Sequence, residues 1–247
     1  MRNPGKYLLT ALIILSVSCE IVENPDNDYN VHSEILLPTS SPFGLAYDGD
    51  YLWYSDDSLR CLNKISASGE ILKTIPIPGC RITSFEFHGN SVWCINDTTL
   101  VHDTAVSHYP FSSIYKYSLS GEKTDTILVQ GTINPIRPEF HGLTIHDEKI
   151  YFTTNHGWGS AIYQVDLESR EQTFLAYKYL AGLTLKSDTI YAIDKYNLLS
   201  SRIAPFDSGF RLIEEKMTEV DFPATDLVFV GDHLWLINRE EKKLVKK

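Results

Sequence analysis

The chain has 247 residues, 43% of them hydrophobic and 22% charged, a composition that can bury a full core and excludes a disordered or fibrous chain. Its formal charge is −10, which becomes −12 once a leader carrying Arg2 and Lys6 is set aside. So acidic a surface repels phosphate backbones, and no nucleic-acid partner is expected.

At the N-terminus, Arg2 and Lys6 flank an apolar run over residues 7–17, whose 11 residues are too few to cross a bilayer as a helix. The run ends in Leu15-Ser16-Val17-Ser18-Cys19, which resembles a bacterial lipobox, although Ser16 stands where leucine is usual. That resemblance implies removal of residues 1–18, acylation of Cys19 and a lipid anchor in the bacterial cell envelope, so that the membrane is the first expected partner. An ordinary cleaved signal ending near a cysteine is the alternative. Residues 20–31 carry four acids and no base, and with Pro25 they read as a solvated tether that ends near residue 32. Three cysteines follow, Cys61, Cys80 and Cys94, an odd number that leaves at least one thiol outside any internal disulfide. Cys61 with Cys80 is a possible pair, and Cys94 reads as a small buried apolar residue.

From residue 33 onward one pattern recurs five times. Each copy starts at a small or polar anchor, Gly44, Ser84, Gly142, Gly182 or Asp226, and ends nine positions later in an aromatic residue. Apolar positions alternate on both sides of a polar turn such as Asp48-Gly49-Asp50, the pattern of strand, tight turn and strand. The anchors are 40, 58, 40 and 44 residues apart, a period that with several short strands per unit denotes a β-propeller. Only 21 residues follow Asp226, room for three strands of a four-stranded blade, and residues 33–38 supply the fourth from the other terminus. The expected fold is therefore all-β, a five-bladed propeller of four-stranded antiparallel blades over residues 33–247, closed by its N-terminal strand. The extra length between Ser84 and Gly142 falls in residues 97–113, read as a long loop.

The blade that runs Gly44-Leu45-Ala46-Tyr47-Asp48, then Tyr51-Leu52-Trp53-Tyr54-Ser55-Asp56, Asn63-Lys64-Ile65 and Ser68-Gly69-Glu70-Ile71 resembles those of the NHL-repeat, gluconolactonase-like and glutamine-cyclotransferase-like propellers. The gluconolactonase-like resemblance implies metal ligands immediately before each anchor. Here those positions are Phe43, Thr83, His141, Ala181 and Thr225, of which only His141 has a ligating side chain, and a hard ion needs several oxygens at once. The glutamine-cyclotransferase resemblance implies glutamates in the loops leading into the inner strands, where Glu86 and Glu139 stand nearest. No resident cofactor or metal is expected on this reading.

In such a strand order, the loops leading into inner strands and the turns between second and third strands share one face, which collects Phe43, Asp56, Asp57, Arg81, Asp97, His102, His108, Arg137, Glu139, His141, His156, Trp158, Asp194, Lys195 and Arg239. Seven of them are the ligand-binding candidates. Trp158, between Gly157 and Gly159, offers an aromatic plane to a sugar or peptide, or else anchors its loop. His141 and His156 form a proton-transfer or metal pair, or else line a polar channel. Arg81, Arg137 and Glu139 recognise a carboxylate or amide, or else form surface ion pairs, and Phe43 lies at the same rim. Asp56, Asn96, Asp194 and Asn238 recur three residues after the aromatic and read as turn caps. No complete catalytic constellation is visible. The expected function is a noncatalytic binding or scaffolding propeller for a protein, peptide or glycan, the alternative being a divergent cyclotransferase, lactonase or lyase centred on Glu139, His141 and His156.

Overall fold

The computed structural model describes residues 28–96, 112–129, 139–156, 159–178, 180–194 and 200–247, without the side chains of residues 96, 112, 139–141, 154–156, 159, 160 and 177. Strand β1 (Glu34–Leu36) comes first in the chain but belongs to the last blade. Blade 1 is β2 (Pro42–Tyr47), β3 (Leu52–Asp56), β4 (Cys61–Ile65) and β5 (Ile71–Pro76). Blade 2 is β6 (Ile82–His88), β7 (Ser91–Asn96), β8 (Ser112–Ser118) and β9 (Lys123–Val129). Blade 3 comprises β10 (Glu139–His146), β11 (Lys149–His156), β12 (Gly159–Asp166) and β13 (Gln172–Tyr177). Blade 4 holds β14 (Leu180–Lys186), β15 (Thr189–Asp194), β16 (Ser201–Phe206) and β17 (Thr218–Val220), with one 3-10 turn at Glu214–Lys216. Blade 5 adds β18 (Ala224–Val230), β19 (His233–Asn238) and β20 (Lys243–Lys246) to β1. The chain is a five-bladed β-propeller.

Closure takes the form the terminal count implies. β1 pairs antiparallel with β20, Glu34 opposite Val245 and Leu36 opposite Lys243, so the N-terminal strand covers the edge of β20 and completes the four-stranded sheet as its outer strand. The apolar positions that alternate along the strands fill the five gaps between neighbouring blades. Leu45, Tyr54 and Ile65 meet Val228, Trp235 and Ile237 between blades 1 and 5, and Trp53, Leu62 and Ile75 meet Phe85 and Cys94 between blades 1 and 2.

Each inner strand breaks its register at the anchor, between Ile82 and Ser84 for example and between Ala224 and Leu227. The break brings the anchors together around the axis, where side chains have no room. A Cβ added to Gly142 would stand 2.7 Å from the backbone carbonyl carbon of Gly182 and from the nitrogen of Leu183. Gly182 itself has φ +38°, and a Cβ there would lie 2.7 Å from the Asp226 carboxylate. The small anchors seen in the sequence are thus a packing requirement of ring closure.

One open question is answered and one expectation is corrected. Cys61 and Cys80 are both buried free thiols, as is Cys94, so no disulfide joins the first two. Cys80 instead lies 2.9 Å from the Tyr117 hydroxyl, and burial pushes its thiol pKa up. Tyr29, within the segment read as tether, is buried: its hydroxyl donates to the Ile65 carbonyl at 2.6 Å and accepts from the Leu52 amide at 3.0 Å. Folded structure therefore starts before residue 33. Asp194 pairs with Arg202 of the neighbouring strand at 2.6 Å, while the turn it was read as capping lies outside the described residues. Asp56 and Asn238 do cap turns, accepting from the amides of Ser58 and Leu59 and of Glu241.

Candidate functional site

Two places concentrate polar chemistry among the described residues, one inside the ring and one on its loop face. Inside, the Asp226 anchor replaces the glycine or serine of other blades. Its carboxylate accepts from the Leu45 amide at 2.9 Å, from the Leu227 amide at 3.0 Å and from the Ser84 hydroxyl at 3.1 Å. Ser84 in turn accepts from the Leu143 amide at 3.0 Å. With Gly182 packed against the same carboxylate, this knot touches all five blades and plugs the axis at the level of the anchors. Burial pushes the Asp226 pKa well up, against the pull of its three donors, and the nearby Glu86 adds to the rise.

Glu86 lies two positions further along β6, on the side of the plug away from the loops. It keeps some solvent exposure within the channel, but protein surrounds it, and burial raises its pKa to about 8 despite a hydrogen bond with Thr144. Glu86, which stands near the entry loops where the resemblance expects glutamates, lies within β6, beyond the anchors. Sequence reasoning passed over Asp226 as one of five equivalent anchors. Its signal was there to be read, since it is the one ionisable residue at a position otherwise occupied by glycine or serine.

On the loop face, residues from three blades meet around Phe43. Phe43 is the second residue of β2, and its carbonyl accepts from the Thr225 hydroxyl of blade 5 at 2.9 Å. Its ring is covered rather than offered to solvent, only 6% of the residue remaining exposed. The Arg239 guanidinium lies 4.9 Å from the ring centre and that of Arg81 5.6 Å from it. Arg239 donates to the Ser41 hydroxyl at 3.1 Å. Arg81 pairs with Asp57 at 3.2 Å, and Asp57 also takes Arg60 at 2.8 Å. Asp56, beside them, is bound to Thr39 and Ser58. Burial would raise its carboxyl, but the hydrogen bonds from Ser58, Thr39 and the Leu59 amide hold it below the usual aspartate range.

Of the seven ligand-binding candidates, the structure therefore joins Phe43 and Arg81 and adds Arg239. Phe43 is a platform beneath two guanidiniums, not the exposed contact its position suggested. The backbones of Glu139, His141 and His156 run in β10 and β11, with their side chains outside the description. Trp158, Arg137, Asp97, His102, His108, Lys195 and Cys19 lie outside the described residues. Among the described residues no three His, Cys, Asp or Glu side chains group as metal ligands. A polar cavity of about 400 Å³ opens where blade 4 meets blade 5, lined by Arg202, Glu219, Asp221 and Lys247. Its cations already face acids, Arg202 at Asp194 and Lys247 at Asp221.

No protein-family model matches the chain, and no curated protein matches it in sequence. Solved structures do match its fold. The glutaminyl cyclase of Myxococcus xanthus aligns with TM-score 0.59 at 11% identity over 86% of this chain and 92% of that one. A chain of the nidogen/laminin complex gives TM-score 0.57 at 15% identity, over 84% of this chain and 76% of that one. The aldose sugar dehydrogenase of Streptomyces coelicolor, bound to PQQ, gives 0.54 at 12%, over 86% and 80%. Two of these are enzymes and one is a chain of a protein complex, and at such identities the likeness is one of fold alone.

Proposed function

We propose that this chain is a noncatalytic binding propeller, tethered to a membrane of the bacterial cell envelope through Cys19, that holds a protein, peptide or glycan partner on its loop face. The observation that carries the reading is the cationic platform of Phe43, Arg81 and Arg239, built by three blades at the rim of an otherwise acidic molecule. Loops on a rigid ring are where a propeller can vary its chemistry without disturbing its packing. The acids of the channel are engaged differently: Asp226 is consumed in holding the ring together, and Glu86 lies behind it.

Peptide and glycan arrays probed with the full chain and with an Arg81→Ala, Arg239→Ala double variant test this. The expected result is a selective set of bound probes that the variant loses while its melting temperature holds. Trp158→Ala and removal of residues 98–112 extend the test to the rest of the face. Cys19→Ser is expected to release the protein from the membrane fraction and to end fatty-acid labelling. The rival reading, an enzyme centred on Glu139, His141 and His156, requires turnover of a small substrate that His141→Ala reduces by orders of magnitude. Such turnover, without selective array binding, would overturn the proposal.

A further inference from the structure

We infer that the outer flank of blades 5, 1 and 2 is a lipid-facing surface on which the ring stands edge-on to the membrane; the inference rests on the acylated Cys19 of the proposed function and adds how the propeller sits. The chain enters its fold at one seam of the ring. Tyr29 is buried between Leu52 and Ile65 of blade 1 and Trp235 of blade 5, and the Asn30 carbonyl accepts from the Lys246 ammonium at 2.6 Å. Cys19 lies nine positions before Asp28. Fully extended, such a stretch spans at most about 32 Å, whereas a body the size of residues 28–247 has a radius of gyration of about 17 Å. A tether of that reach, leaving the seam between blades 5 and 1, cannot carry its lipid around the ring to the far side of blades 3 and 4.

The near side is also where apolar side chains meet water. Of the eight large apolar side chains exposed among the described residues, five lie on one arc there: Val31 beside the entry, Leu36 on β1, Ile71 and Leu72 on β5, and Leu119 in the turn before β9, each between 39% and 72% exposed. The arc is continuous, because each outer strand ends against the turn of the next blade. A Cβ on Gly69, just before β5, would lie 2.6 Å from the Leu36 carbonyl oxygen, and one on Gly121, just after Leu119, 2.7 Å from that of Pro76 at the far end of β5. Lys73, next to Leu72, donates to the Leu119 carbonyl at 3.3 Å. Leu72 is the extra residue of a β-bulge, since Ile71 stands opposite Ile65 and Lys73 opposite Lys64, and a bulge at a sheet edge re-aims its side chain. Blade 4 exposes no large apolar side chain among the described residues, and its outer strand reads Thr218-Glu219-Val220.

Apolar side chains along an unpaired strand edge invite aggregation in water, and contiguous apolar surface marks a contact surface. A bilayer is the occupant the chain itself brings to this arc, through the lipid on Cys19. Charge does not hold it there. Glu34 is paired with Lys243, Glu70 and Glu122 stand in the two turns, and the net charge of −10 opposes an anionic surface. Lys73 can lay its stem along Leu72 with its ammonium among the headgroups. An edge-on ring leaves the loop face open to a partner that approaches alongside the membrane.

The test uses the full chain, purified from membranes and reconstituted in phosphatidylcholine vesicles, carrying one of Leu36→Cys, Leu72→Cys and Leu119→Cys or, as control, Thr218→Cys on blade 4. Because Cys61, Cys80 and Cys94 are buried, a thiol-reactive dye sensitive to polarity goes to the introduced position. Dyes at 36, 72 and 119 are expected to shift to shorter wavelength and to be quenched by doxyl-labelled lipid, while the dye at 218 keeps its aqueous spectrum. Adding phosphatidylglycerol should not strengthen the shift. Equal responses at 72 and 218, or a shift that appears only with the anionic lipid, overturn the inference. So does a shift at 72 that tracks protein concentration and ignores the doxyl lipid, which would mean that a second copy covers the arc. A chain that fails to float with the vesicles overturns the anchor and the inference together, whereas a floating chain whose three dyes stay aqueous overturns the inference alone.

Discussion

Asp226 and Ser84 stand 142 positions apart in the chain and meet at 3.1 Å on the propeller axis, blade 5 to blade 2. Through Ser84 the contact continues to the Leu143 amide of blade 3, and through Asp226 itself to the Leu45 amide of blade 1. Asp226→Ala leaves two buried amides and a hydroxyl without an acceptor. At about 1–3 kcal/mol for each stranded buried group, a loss of several kcal/mol is expected, read as a lower urea midpoint. A midpoint within experimental error of the unaltered chain would show that the axial knot contributes nothing to closure.

Glu86 predicts a pH dependence. Its folded pKa of about 8 lies above the ordinary 4.5, so the folded state holds the proton more tightly than the unfolded one. The stability tied to that proton is full below pH 4.5 and drains away as the pH rises toward 8. Asp226, whose pKa is also raised by burial, adds to the same slope. The melting temperature is expected to fall between pH 5 and pH 8, and Glu86→Gln to flatten that fall; an unchanged slope in the variant would place the titration elsewhere.

Gly142→Ala tests the ring's inner radius. The new methyl would meet backbone atoms of blade 4 at 2.7 Å, which cannot yield without opening the ring, and overpacking of this kind typically costs about 1–3 kcal/mol. Gly209→Ala is the control. Its Cβ would find its nearest neighbour at 3.3 Å, the end of the Asp207 side chain, and a change within about 0.5 kcal/mol is expected. The two thermal melts together separate a clash at the axis from a loss of glycine as such.

Tyr29→Phe asks whether the segment before β1 is part of the fold. The hydroxyl serves both the Ile65 carbonyl and the Leu52 amide, and its ring stands edge-on to Trp235 at 6.3 Å. Removing the oxygen should destabilise by about 1–3 kcal/mol, since the Leu52 amide keeps no acceptor. Denaturant unfolding reads the difference, and a null result would make Tyr29 a passenger on the core.

Five blades, four strands in each and closure by the N-terminal strand were all legible in the sequence, because each depends on a local period. Alternation names the strands, a polar turn joins them, and the small anchor repeats wherever a backbone must approach its neighbour. Phe43 and Arg81 were legible as rim residues for the same reason, their place relative to an anchor. Arg239 was visible only as one of fifteen residues on that face, and Tyr29 was hidden by the acids around it.

What the sequence determined by itself is the repeat, and with it the fold, since packing of like units leaves a mark in every unit. What only the tertiary structure decided is which unlike residues meet. Asp226 reaches Ser84, and Arg239 reaches Phe43, across separations in sequence of 142 and 196 positions. Closing the ring sets those distances, and no period along the chain encodes them, because each occurs once.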